Sequence, residues 1–240
     1  MKKRRKVCLF IVEGPSDEAA LYPPLKKFVE KDGLLRFFQV HGDITADIHN
    51  SPHNIMAEVG NVINSFLSLY KLEKKNLAEV VHLVDLDGCF IPDECVHALG
   101  SGEEGISVVY RENEICAQSI QNIQDRNHRK SQNLQVIISK RRILGNIPYS
   151  VYYFSCNLDH VTIGSMNLSA NEKVDSADHF ANVYKDDQAE FISFMDSVYP
   201  PVDHEYRISW NYPMEGIHSL KRHSNLLLFL EEKLREEDQE

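Results

Sequence analysis

The chain has 240 residues, with 26 lysines and arginines against 36 aspartates and glutamates, a formal net charge of −10. At roughly 150 residues per domain that length fits one large domain or one domain with an addition, and an apolar share of 42% is enough for a core without disulfides or structural metal. The sequence has no apolar run of the roughly 20 residues a bilayer span needs, and its charge disfavours a protein that coats phosphates indiscriminately.

The basic run 2–6 followed by apolar 7–12 has the order of a secretory leader. The apolar part is too short, and Glu13-Gly14-Pro15-Ser16-Asp17 stands where a small-residue cleavage site belongs. Five cysteines (Cys8, Cys89, Cys95, Cys116, Cys156) form no CxxC pair and suit reduced thiols. The expectation is a cytoplasmic chain with no membrane association.

In chain order, 7–12 reads as a strand buried on both faces, because it is continuously apolar and bounded by Gly-Pro-Ser. Ser16 or Asp17 then caps a helix running to about residue 31, which Pro23-Pro24 is expected to kink or restart. A second strand covers 34–40 and leads into His41-Gly42-Asp43. Val59, Val62, Ile63, Phe66, Leu67 and Tyr70 give 55–72 a helical period. A third buried strand, 80–84, stops at Asp85-Leu86-Asp87-Gly88. Alternating strand and helix predicts a parallel sheet covered on both faces. Beyond it, 106–110 and 149–155 read as strands, and 114–124, 129–144, 175–198 and 217–235 as helices, while 157–171 has no assignment.

The chemistry concentrates at strand ends. Glu13 follows the first buried strand, and Asp85 and Asp87 close the third. In an open parallel sheet the crevice lies beyond the carboxyl ends of the strands, so these acids are expected to meet there. The i, i+2 spacing points Asp85 and Asp87 to one face of an extended segment. Gathered carboxylates repel unless a cation compensates them, and magnesium, a hard ion with oxygen ligands, suits that task.

The stretch Leu9-Phe10-Ile11-Val12-Glu13-Gly14-Pro15-Ser16-Asp17-Glu18-Ala19-Ala20-Leu21 resembles the first motif of Toprim domains, and His82-Leu83-Val84-Asp85-Leu86-Asp87-Gly88 resembles the second. The Glu-Gly-Pro-Ser-Asp-Glu wording is closest to the nuclease branch, the overcoming-lysogenization-defect nucleases and ribosomal-RNA maturases. The likeness covers residues 7–110, under half of the chain. It implies an α/β fold with a Toprim-like parallel sheet flanked by helices over 1–110, and the elements read beyond it make 111–240 a mainly helical extension expected to complete the sheet and pack with it as one unit. It also implies a Mg2+-dependent endonuclease, with Mn2+ as substitute, on DNA or RNA. Glu13 would be general acid/base or metal ligand, Asp85 and Asp87 magnesium ligands, and Asp17 a further acid near the metal. Unlike the larger nucleases, the chain has no GxxxxGK[ST] loop and hence no ATPase domain. A stand-alone nuclease of this kind suggests a role in phage defence, by analogy alone.

Outside the motifs, Asp159 is a candidate further ligand, and His160, Lys140, Arg141 and Arg142 are candidate nucleic-acid contacts. Asp43 reads as the start of a loop more than as a crevice residue, and Lys221-Arg222-His223 as a solvated run more than a phosphate contact. Trp210 and the tyrosines of 149–153 read as core. Two other functions stay open. Asp85-Leu86-Asp87-Gly88 also resembles the start of haloacid-dehalogenase-type phosphatases, though Cys89 stands where Thr or Val is usual and Glu13 goes unexplained. The core would otherwise be a non-catalytic scaffold or sensor that binds a partner protein. A homodimer or a separate regulatory protein is the other partner considered, with Leu220, Leu227, Leu230 and Leu234 as an apolar stripe that suits either a subunit interface or, preferably, packing on its own sheet.

Overall fold

The computed structural model describes residues 6–30, 33–40, 42–103 and 105–237. Lys2 to Arg5 and His41 lie outside the described residues. Strand β1 (Lys6–Val12) is an inner strand of a sheet, paired in parallel with β2 (Gly33–Gln39) on one side and β3 (Leu77–Asp85) on the other. Strand β3 pairs in parallel with β8 (Ile147–Phe154), and β7 (Arg142–Ile143) adds an antiparallel edge, for an order β2-β1-β3-β8-β7. The protein is thus α/β, its parallel strands flanked by helices, in a mixed sheet rather than a wholly parallel one. The antiparallel edge exists because Leu144 and Gly145, with φ of 49° and 101°, reverse the chain within a short turn.

Side chains alternate across β1. Cys8, Phe10 and Val12 enter one apolar layer, and Val7, Leu9 and Ile11 the other. A strand covered on both faces needs apolar residues at every position, which is why this one reads as an unbroken run. The first layer is closed by α1 (Pro15–Val29), α5 (Ala170–Tyr184), α6 (Gln188–Ser197) and α8 (Leu227–Glu237), through Leu21, Leu25, Phe180, Phe191 and Phe229. The second is closed by α2 (Ile55–Leu69), α3 (Ile120–Ile138) and α7 (Tyr206–Asn211), through Val59, Ile63, Phe66, Leu134, Ile137 and Trp210. Each such side chain, fully buried, contributes about 1.5–3 kcal/mol.

Several expectations are corrected. Helix α1 runs unbroken through Pro23 and Pro24, because burial of Leu21, Pro24, Leu25 and Phe28 holds it against the lost backbone bonds. Its N-cap is Gly14, and Asp17 reaches back to accept that residue's N–H at 2.9 Å. Residues 114–124 are not one helix: β6 (Ile115–Ala117) is a buried strand, and Ser119 then caps α3. Strand β6 pairs with β4 (Val96–Ala98) and β5 (Val108–Tyr110) in a second, small sheet, so the strand at 106–110 does not join the main one. Tertiary pairing overrides local propensity here. The boundary drawn at residue 110 therefore falls between paired strands, and β8 from the C-terminal half completes the main sheet.

Residues 175–198 form two helices, because Asp187 accepts the Glu190 N–H and starts a new one. Residues 217–226 are not α-helical: His218–Leu220 is a single 3-10 turn, and Ser224 Oγ and Asn225 Oδ1 are occupied with the Tyr153 backbone. Leu227 and Leu230 are buried against the sheet and Leu220 beneath the small sheet, so the stripe is core and not an open interface. The unassigned stretch contains α4 (Leu158–Ile163), capped by Asn157. Trp210, Tyr149, Tyr152 and Tyr153 are core, as expected.

Candidate active site

The chain leaves β1 towards β2 and returns on the other side as β3, which makes the gap beyond β1 and β3 a topological switch point. Glu13 is the first residue past β1 and Asp85 the last of β3. The Asp85 N–H points at Glu13 Oε1 (3.4 Å), and Asp85 Oδ1 accepts the Leu158 N–H (3.0 Å) at the start of α4. The second oxygens of Glu13 and Asp85 have no hydrogen-bond partner among the described residues.

Asp87 arrives differently from the extended geometry its spacing suggests. The chain turns after Asp85: Leu86 is buried, Asp87 is left-handed at φ 50°, and Gly88 follows at φ 65°. Only a residue that tolerates that region, such as Asp, fits without large strain. The Asp87 N–H donates to Cys156 O (2.7 Å) and its carbonyl accepts from Arg126 (2.8 Å). Tyr110, from the small sheet, donates its hydroxyl to Asp87 Oδ1 (3.3 Å) and accepts from Arg126 (2.8 Å). The small sheet thereby forms one wall of the crevice.

The residue that organises this end of the sheet is Lys130 of α3, whose side chain has 0% exposure. Its ammonium donates to Asp43 Oδ2 and Asp87 Oδ2, both at 2.6 Å, and lies 4.0 Å from Glu13 Oε1. Neighbouring turns of α3 bind the loop that carries Asp43: Arg129 donates to Ala46 O and Asn133 to Thr45 O, each at 2.9 Å. Asp43 Oδ1 meanwhile accepts the Thr45 N–H (2.7 Å) and hydroxyl (2.5 Å). Asp43 is therefore a crevice residue as well as a loop residue, contrary to the preferred sequence reading. Lys130, Arg126 and Tyr110 were not singled out from sequence. The available signal was position, because Ile123, Lys130, Leu134 and Ile137 share the buried stripe of α3, where a lysine needs a buried anion.

Electrostatics divide the crevice. Burial raises the Glu13 carboxyl well above its ordinary value, and Asp43, Asp87 and Asp17 add to the effect. Burial likewise raises Asp85, with Glu13, Asp17 and Asp87 reinforcing it. Burial also works on Asp43, but the Lys130 ammonium outweighs it and holds that carboxyl below its usual range. Lys130 itself is held well above the usual range, because the anions Asp43, Asp87 and Glu13 overcome its burial.

Asp17 and Asp159 extend the carboxylate side. Burial, with a smaller push from Asp159, lifts Asp17 to about 6 against the pull of the Gly14 amide and Lys173. Asp159 Oδ2 lies 3.4 Å from Lys173 Nζ. His160 does not join them: its ring nitrogen faces Ser155 O at 3.4 Å, and the charges that act on it are Arg222, Lys221 and Glu112. Lys140, Arg141 and Arg142 are not on a helix and do not reach the crevice. Arg142 pairs with Pro148 and Arg141 O accepts the Tyr149 N–H, both at the entry end of β8, and Arg141 stacks 3.8 Å over Tyr206. Arg222 is bonded to the carbonyls of Val161 and Thr162.

The donor chemistry fits a hard divalent ion that keeps most of its water: one free carboxylate oxygen each on Glu13 and Asp85, with Lys130 no closer than 4.0 Å to Glu13 Oε1. It does not make a closed cage, since among the described residues no three acidic, histidine or cysteine side chains are grouped to hold a metal. No helix among the described residues is long and apolar enough to cross a membrane. Comparison with family models, curated proteins and solved structures gave no match for this chain.

Proposed function

We propose that this crevice hydrolyses phosphodiester bonds in DNA or RNA with the help of Mg2+ or Mn2+. The observation that carries the reading is the approach of Glu13 and Asp85 from adjacent strand ends, each with an oxygen free, at the switch point of the sheet. The resemblance of residues 9–21 and 82–88 to the Toprim nuclease motifs supports the same chemistry.

Glu13 would take the proton of the attacking water, a role that suits it because burial raises its carboxyl and makes it a stronger base than an ordinary carboxylate. Asp85, anchored by the Leu158 amide, would direct its free oxygen to the ion. When bound, the ion supplies a Lewis acid for the phosphoryl oxygen and offsets charge on the leaving group. Arg126 and Tyr110 hold the wall opposite, and Lys130 fixes Asp43 and Asp87 in place.

The experiment is cleavage of supercoiled DNA, single-stranded DNA and structured RNA in Mg2+, Mn2+ or EDTA, with Glu13→Gln and Asp85→Asn purified in parallel. Cleavage by the wild type, lost in EDTA and in both variants, is the expected result and names the substrate. Cleavage that persists in Asp85→Asn would assign the activity elsewhere.

A further inference from the structure

We infer that Lys130 is a built-in cation that takes the place of one divalent ion, so that the crevice binds a single metal through Glu13 and Asp85, and Asp87 is a lysine-bound structural residue rather than a ligand. This rests on the phosphodiesterase reading of the same crevice. It departs from what the resemblance implies, since that assigns both aspartates of the Asp-x-Asp pair to magnesium.

The two aspartates differ in what already holds them. Every polar group of Asp87 is engaged: its N–H on Cys156 O, its carbonyl by Arg126, Oδ1 by Tyr110 and Oδ2 by Lys130 at 2.6 Å. Asp43 is equally committed, with Oδ1 closing its own turn and Oδ2 on the same ammonium at 2.6 Å. A divalent ion on either carboxylate would sit beside an ammonium that has no exposed surface through which to withdraw. Asp85 and Glu13 each keep an oxygen free, and no cation pairs with Asp85 among the described residues. The lysine supplies one compact positive charge at a fixed point, where a second divalent ion would bring two and repel the first more strongly.

Lys130 acts here as a positioning residue, and its effect is read by counting ions. Mn2+ binding to the full chain, followed by electron paramagnetic resonance and calorimetry, is measured for wild type, Asp85→Asn, Asp87→Asn and Lys130→Met. Asparagine tolerates the left-handed backbone of position 87, so Asp87→Asn tests the carboxylate and not the turn. The expected result is one ion per wild-type chain, binding lost in Asp85→Asn, and one ion in Asp87→Asn with affinity within about threefold of wild type. Lys130→Met is expected to melt at lower temperature in EDTA, to recover with Mn2+ and to take up a second ion. Should that variant fail to fold, the comparison of the two aspartate variants decides alone. Two ions in the wild type, or loss of binding in Asp87→Asn equal to that in Asp85→Asn, would overturn the inference and leave the phosphodiesterase reading standing. No ion in the wild type would overturn both.

Discussion

Lys130 Nζ and Asp43 Oδ2 stand 2.6 Å apart across 87 residues of sequence, the lysine fully buried and the aspartate nearly so. That contact joins α3 to the loop after β2 and fixes the floor of the crevice. Removing one partner of a buried pair strands the other charge, at a cost of about 3–5 kcal/mol. Lys130→Met is expected to lose about that much stability in metal-free urea unfolding. Adding Asp43→Asn to it should cost less than the two single losses together, because the variants share one interaction. Strict additivity would show that the two residues do not depend on each other.

Gly88 is the sharpest steric test of the turn that carries Asp87. Its φ is 65°, and a Cβ there would lie 2.6 Å from Leu220 Cδ2 and 3.0 Å from Ile115 Cδ1. Gly88→Ala is therefore expected to cost about 3 kcal/mol, from backbone strain and overpacking together. Gly102, at φ 98° with nothing within 4 Å, isolates the strain alone. Its alanine variant should cost about 1–2 kcal/mol in the same unfolding assay.

His82 makes stability depend on pH. Burial lowers its folded pKa to about 4, the Lys130 charge adding to this and Asp43 opposing it. In the unfolded chain the ring titrates at about 6.5. Above that pH neither state is protonated and the contribution is complete. As pH falls from about 6.5 towards 4 the unfolded state takes up the proton first, and about 3 kcal/mol is lost. The raised carboxyls of Glu13 and Asp85 contribute in the opposite direction and are common to wild type and His82→Gln. The difference in unfolding free energy between these two proteins should therefore shrink between pH 7.5 and 4.5. A difference that stays constant would mean that His82 is not held neutral.

Lys140 and Arg142 separate the crevice from the far end of the sheet. Lys140 lies just before β7 and Arg142 begins it, and Arg142 is occupied with Asn146 O at 3.0 Å. The Lys140→Ala/Arg142→Ala variant is expected to cleave nucleic acid within about twofold of wild type, with an unchanged slope of affinity against salt, because neither cation neutralises a bound phosphate. A fall in that slope would place substrate along the far edge instead.

The central strands were legible in the sequence because burial on both faces demands apolar residues at successive positions: β1 is unbroken from Val7 to Val12, His82 alone interrupts residues 80–84 of β3, and β8 is continuous from Val151 to Phe154. Helix α2 was legible for the complementary reason, its one-sided period. The second sheet was not, since β4, β5 and β6 are short strands whose formation depends on one another rather than on local pattern. Nor was the single long α3, which the sequence reading split into helices over 114–124 and 129–144.

The sequence by itself determined the alternation of strand and helix and the placement of Glu13 and Asp85 at strand ends, because periodicity and chain order are local properties. Only the tertiary structure decided which charges meet. Asp43 follows β2, Asp87 follows β3, and Arg126 and Lys130 both come from α3, so their partners are set by how α3 lies across the sheet. A buried charge is stable only beside its counterion, and that pairing is invisible until the chain is folded.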